Sequence, residues 1–106
     1  MPLQIITLEN KQPWEIVPYV FDFSKWVQST DPISACAFGI YVYPGNPVSP
    51  TLIPTMVYAT DFGDTWISCD VGSGTDTEAT YVIRARATTT AGRRFECEGI
   101  FEVREI

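Results

Sequence analysis

Histidine is missing altogether from this sequence. That removes the commonest general base, the usual activating partner of a serine or cysteine nucleophile, and the commonest zinc ligand. Basic residues are scarce as well: 7 Lys and Arg stand against 13 Asp and Glu, a formal net charge of -6. A nucleic-acid binder needs a basic surface to displace counterions from phosphates, so no direct contact with DNA or RNA is expected. No apolar run approaches the ~20 residues of a spanning helix, and no membrane anchor is expected. Met1 to Asn10 lack the basic start and long apolar stretch of a secretory signal, which makes cytoplasmic synthesis the expectation. The three cysteines, Cys36, Cys69 and Cys97, avoid the close pairs of metal sites and read as small buried hydrophobes. A disulfide between two of them stays open.

The carboxylates do not assemble into chemistry either. They are spread along strand edges and turns, with no cluster in an apolar setting that would raise one pKa as a glycosidase requires. Asp61 with Asp64, or Asp70 with Asp76, are candidates for calcium, but neither pair has the dense alternation of acidic ligands found in dedicated calcium loops. The segment from Gly72 to Gly74 leads into a strand and not into a helix whose N-terminus would hold a phosphate. The expectation is therefore a protein without catalytic residues, cofactor or metal, and not an enzyme.

What is present is a strand-forming pattern. The 106 residues fit one domain. Helical periodicity is nearly absent, while β-branched and aromatic residues cluster in short runs between Gly, Pro, Asp and Thr, as in an all-β sandwich of six or seven antiparallel strands. Strands are predicted over Val17 to Phe23, Ile33 to Tyr43, Pro54 to Thr60, Thr65 to Val71, Tyr81 to Thr89 and Arg93 to Arg104. A turn at Ser24, Lys25, Trp26 and Val27 ends the first, and Asp61 to Asp64 turn the third into the fourth. Pro44, Pro47, Pro50 and Pro54, four of the eight prolines, stiffen the middle loop, which reads either as a preshaped surface or as a plain crossover between sheets.

The last hairpin carries the sharpest expectation. A two-residue turn would set Ala87 against Glu96 and mix apolar and charged faces. A three-residue loop over Thr90, Ala91 and Gly92, with Gly92 left-handed, pairs Ala87 with Phe95, Ala85 with Cys97, Ile83 with Gly99 and Tyr81 with Phe101, all facing the core. The opposite face then sets Arg86 against Glu96 and Arg84 against Glu98, opposite charges directly across the ladder.

The aromatics read two ways. Trp14, Trp26 and Trp66, with Tyr41, Tyr43 and Tyr58, suit a sugar-stacking platform or a protein interface. Trp26 is assigned to the core. Trp66 alternates with Ile67, Cys69 and Val71 and is expected to point outward, towards a partner. At the N-terminus, Leu3, Ile5, Ile6 and Leu8 make residues 1–10 too apolar for a free tail. They form either an arm that adds to a neighbouring subunit or an edge strand of the domain over 11–106.

The chain also resembles a known family. Lys11, Pro13, Glu15, Tyr19, Phe21, Asp22, Ser24, Trp26 and Val27, then Thr65-Trp66-Ile67-Ser68, Tyr81, Ile83, Thr89, Ala91-Gly92-Arg93, Phe101 and Val103 are similar to small proteins of tailed bacteriophages and prophages known as fibre-tail adaptor or tail-associated structural proteins. There a Lys-x-Pro opening, an Asp-x-Ser-x-Trp turn, a Trp-Leu-Ser strand and a terminal Gly-Arg hairpin recur. The resemblance implies an immunoglobulin-like fold and a structural role in the virion, at the neck, tail or fibre, as several copies in a ring. The longer proline-rich loop and Phe38, in place of an expected Trp, depart from the pattern. The interface residues expected are Leu3, Ile5, Ile6, Leu8, Trp66, Arg84, Arg86, Glu96 and Glu98. The competing reading is an accessory sandwich that binds carbohydrate or a host surface, which would need its aromatics in one groove flanked by Asn, Asp or Gln.

Overall fold

The short apolar runs become seven strands in a computed structural model that describes residues 4–42, 52–72, 74 and 76–105. They are β1 (Gln4–Thr7), β2 (Val17–Asp22), β3 (Ile33–Val42), β4 (Val57–Phe62), β5 (Trp66–Val71), β6 (Ala79–Thr89) and β7 (Arg94–Val103). One sheet has the order β1-β7-β6-β3 and the other β2-β5-β4. The chain crosses between them after β1, β2, β3 and β5, so the two sheets share one core in an immunoglobulin-like sandwich.

One pairing departs from the antiparallel expectation: β1 runs parallel to β7, Gln4 opposite Cys97 and Thr7 opposite Ile100. The chain continues beside β7, with Leu8 N–H on the Ile100 carbonyl (2.8 Å) and Lys11 N–H on that of Glu102 (3.0 Å), before crossing to β2. Gln4–Thr7 thus lies at the edge of the four-stranded sheet.

The third predicted strand also shifts. Pro54 has no N–H to give a ladder, and Pro54–Met56 form a single 3-10 turn before β4 begins at Val57. Asp61 and Phe62 remain in the strand, and the turn contracts to residues 63–65, where Gly63 N–H bonds the Trp66 carbonyl at 2.9 Å. The proline-rich loop over 44–50 lies outside the described residues.

Alternation produces the core. Along β5 the residues Ile67, Cys69 and Val71 are fully buried while Trp66 is exposed. Phe21 and Phe23 from β2 and its continuation meet Ile83, Phe101 and Val103 from the facing sheet. Trp26 is half-buried and packs against this cluster at the turn that follows β2. Cys69 and Cys97 are buried, Cys36 is half-buried, and all three are free thiols.

The β6–β7 hairpin has the register the three-residue loop requires. Ala87 faces Phe95, Ala85 faces Cys97, Ile83 faces Gly99 and Tyr81 faces Phe101, while Arg86 meets Glu96 and Arg84 meets Glu98 on the other side. Gly92 closes the loop at φ +89°, where a β-branched residue would be strained. A second chain segment braces the same loop: the Asp31 carboxylate accepts from the Thr89 hydroxyl (2.7 Å) and from Ala91 N–H (2.8 Å). The Thr89 hydroxyl first, then Ala91 N–H and Arg93, hold the Asp31 carboxyl below the usual carboxylate range.

Candidate functional site

The groups that carry chemistry elsewhere are quiet here. Burial pushes the Cys69 thiol up to about 12, with Asp70 adding to it, and raises Cys97 and Cys36 for the same leading reason. These thiols stay protonated near neutral pH, and a protonated thiol is a poor nucleophile and a poor metal ligand. Burial likewise takes Tyr19 to about 12, reinforced by Glu9 and Glu15. Among the described residues no group of three or more acidic or cysteine side chains is placed to hold a metal ion.

The most deeply built polar feature is a junction that the sequence did not announce. Lys11 Nζ lies 2.5 Å from Asp76 Oδ2, with the two side chains 0% and 3% exposed. The same ammonium donates to the Gln12 carbonyl at 2.8 Å, and Asp76 N–H donates to the Pro13 carbonyl at 3.0 Å. Gly72 admits this arrangement. At φ +132° it passes so near the Glu15 carbonyl that a Cβ would sit 2.5 Å from that oxygen. The Lys-x-Pro opening is thereby tied to the loop before β6. Asp76, considered above for calcium, is engaged by an internal cation instead, and the pair serves the fold.

The surfaces offer more. The outer face of the four-stranded sheet carries the arginine and glutamate rows. Arg86 Nε lies 2.6 Å from Glu96 Oε1, and Arg84 Nε 3.8 Å from Glu98 Oε1. The Arg84 guanidinium also sits 4.7 Å above the centre of the Tyr41 ring, a cation–π contact. Beside them runs a shallow groove of about 640 Å³, floored by Ala35 and Ala37 of β3 and flanked by Arg86, Thr88, Arg94 and Glu96. All five arginines belong to the β6–β7 hairpin or its immediate continuation.

The outer face of the three-stranded sheet is different. Its register places Asp22 beside Trp66, Val20 beside Ser68 and Asp61, and Pro18 beside Asp70 and Ala59. That face shows carboxylates and apolar side chains but no cation from its own strands. Trp66 is 36% exposed and points outward as expected, its indole lying across Gly63. Val20 is 59% exposed and Tyr58, at the β4 bulge, 66%.

Among the described residues the aromatic side chains do not form one platform. Trp66 opens β5 and Tyr58 lies near that strand's far end, while Tyr41 is on the other sheet and Trp26 is half-buried. Trp14, 83% exposed, sits in the turn after Lys11. Tyr43 falls outside the described residues. Of the N-terminal positions, Leu3 also lies outside them, Ile5 and Ile6 occupy β1 positions opposite Glu98 and Gly99, and Leu8 packs across Gly99 at the edge of the core.

The fold is that of a small immunoglobulin-like sandwich with two unlike outer faces, one of paired opposite charges and one acidic and aromatic. The family model described as podophage GP4 fiber-tail adaptor protein gp77 matches residues 11–101. The chain belongs to this family, and it is a structural adaptor of a bacteriophage virion. The match begins at the buried Lys11 and ends at the buried Phe101, so β1 lies outside it. No curated protein matches the chain.

Proposed function

We propose that this chain joins tail and fibre by direct contact, with one partner on each outer face of the sandwich and several copies in the particle. The observation that carries this reading is the difference between the two faces: a body with unlike surfaces on opposite sides can hold two unlike proteins at a fixed separation. Arg84, Arg86, Glu96 and Glu98 form the contact on one side, and Trp66 with its acidic neighbours forms it on the other. The N-terminal strand β1 pairs with β7, Ile5 opposite Glu98, and so extends the four-stranded sheet beside the charged rows. The chain is made in the host cytoplasm and enters the particle by protein contacts alone, without touching nucleic acid or membrane. The scattered aromatics argue against a sugar platform, which needs its rings along one groove.

The test uses the purified chain with tails that lack fibres and with isolated fibres of the same phage. The chain is expected to bind both. Glu98→Arg should lower stability by only about 1 kcal/mol, because Arg84 and Glu98 are partly exposed and such pairs contribute little. For a domain of this size that is about 5 °C in melting temperature. Binding to one partner should nevertheless be lost, since the reversal leaves two cations facing a surface built for an alternating row. Binding to a glycan array in place of either virion component would reject the joining role.

A further inference from the structure

Two sheets leave four edges, and three of them are protected in the ways natural edges usually are. The β1 edge is four residues long. The β2 edge carries Pro18: Phe23 N–H bonds the Thr65 carbonyl on the β5 side, so the alternate residues Pro18, Val20 and Asp22 turn their backbone outward, and Pro18 has no donor to offer. The β4 edge is interrupted by its bulge at Tyr58 and carries Asp61. The β3 edge differs. Its ten residues, Ile-Ser-Ala-Cys-Ala-Phe-Gly-Ile-Tyr-Val, contain neither proline nor charge.

The two ends of β3 are occupied. A register shift between Ile33 and Ala35 disrupts the start, and the Ile40 carbonyl accepts from Ile53 N–H at 2.7 Å. That bond also fixes the backbone phase. Ile40 points away from β6, so Cys36 and Phe38 do too, while Ala35, Ala37 and Gly39 turn their backbone towards β6. Among the described residues the open stretch is therefore residues 35–39, centred on Ala37. On the outer face it presents Ala35 and Ala37, which are small and exposed, while the Tyr41 ring lies over Gly39. On the inner face Cys36 and Phe38 are only half-buried at the rim of the core, Cys36 Sγ donating to the Asp61 carbonyl of β4 at 3.8 Å and Phe38 packing on the Phe21 ring.

We infer that this stretch pairs antiparallel with the same stretch of a second copy, about a two-fold axis at Ala37. The inference rests on the reading that several copies meet in the particle. A two-fold axis makes the contact self-complementary: Ala37 meets Ala37, Ala35 meets Gly39, and Cys36 exchanges both backbone hydrogen bonds with Phe38. Exposed alanine meets exposed alanine on the outside, and the half-buried Cys36 and Phe38 of the two copies lie opposite each other on the inside.

Charge selects the same edge. Two chains of net charge -6 repel each other over most of their surfaces. The three-stranded sheet presents Asp22, Asp61 and Asp70 outward with no cation from its strands. The sheet that ends in β3 balances Arg84, Arg86 and Arg94 against Glu96, Glu98 and Glu102. Row by row, Ala37 is followed by Arg86 and then Glu96, a paired and neutral flank for the join. The occupant with the least electrostatic penalty at this edge is another copy presenting the same balanced sheet.

The experiment is a charge swap at Ala37, an exposed position, so that folding is not at stake. The full chain is measured by sedimentation velocity over a range of concentrations. The wild type is expected to shift towards a dimer as concentration rises. Ala37→Glu and Ala37→Lys, each with a wild-type melting temperature, should sediment as monomers, because each places like charges on the axis. Mixed in equal amounts, the two variants should dimerise again. A wild type that stays monomeric at every concentration overturns the inference. So does an Ala37→Glu variant that dimerises like the wild type, although several copies would then meet through another surface and the joining role would stand. A monomeric wild type whose Ala37→Glu variant loses tail binding would assign the edge to a strand of the tail protein instead.

Discussion

Lys11→Ala is expected to remove about 3–5 kcal/mol of folding stability, because it leaves the Asp76 carboxylate buried without the ammonium beside it. Domains of this size are stable by only about 5–15 kcal/mol, so the variant should melt far below the wild type or fail to fold at ordinary temperature. The comparison that isolates the cause is the double variant Lys11→Met with Asp76→Leu. Removing both charges and keeping apolar volume should recover most of the loss, because a buried pair gains little over well-packed hydrophobic residues even though breaking it is costly. Denaturant unfolding of the three proteins reads this directly. A Lys11→Ala variant that loses less than about 1 kcal/mol, the range of an exposed pair, would mean that the junction is solvated in solution.

Ala85→Asp should be worse still. Ala85 is fully buried opposite Cys97, in the centre of the β6–β7 hairpin, and belongs to the same core cluster as Phe21 and Ile67 of the other sheet. A carboxylate there lies in an apolar layer, the buried Lys11 being engaged by Asp76, and must either remain charged or take up a proton. Either route costs several kcal/mol, a large part of the total stability. The expected result is a chain without the dispersed amide spectrum of a folded sandwich. Arg84 and Arg86, immediate neighbours in sequence, tolerate charge because their side chains leave on the opposite face. A folded Ala85→Asp domain would contradict the face assignment of the whole hairpin.

That hairpin was legible in the sequence for a physical reason. Its two strands alternate strictly, the charged face has matching signs at matching positions, and Gly92 supplies the one conformation a three-residue loop needs. Three independent constraints agree on one register. The outward placement of Trp66 followed from the same alternation along β5. The Lys11–Asp76 junction was not legible: 65 positions separate the partners, one lies in a polar opening and the other in a loop of Gly, Ser and Thr, and no periodicity links them. Only Lys11 and Pro13, as part of the Lys-x-Pro opening, carried a signal. The start of β4 was misplaced because Val57 to Thr60 are strand-forming, and the run was extended backward over Pro54, which cannot join a ladder. For β1, apolarity marked Ile5, Ile6 and Leu8 as residues that seek cover. The direction of the strand and its partner β7 depend on the path of the following residues to β2, which composition does not encode.

The proposed joining role depends on how the sandwich holds its two faces apart. Cross-sheet packing of Phe21, Phe23, Phe101 and Ile83 fixes the separation of the charged face from the acidic, aromatic one. Core substitutions should act on particle assembly only through folding, whereas Glu98→Arg should act on assembly with the fold retained.

The joining role is tested most directly by the composition of particles made without this chain. A phage whose gene for it carries a stop codon is grown in a non-suppressing host, and purified particles are quantified for tail and fibre proteins by mass spectrometry. The account predicts tails at the normal level with fibres missing, and recovery of fibres when the purified wild-type chain is added to those particles. Particles that carry their full complement of fibres in the absence of the chain would contradict it.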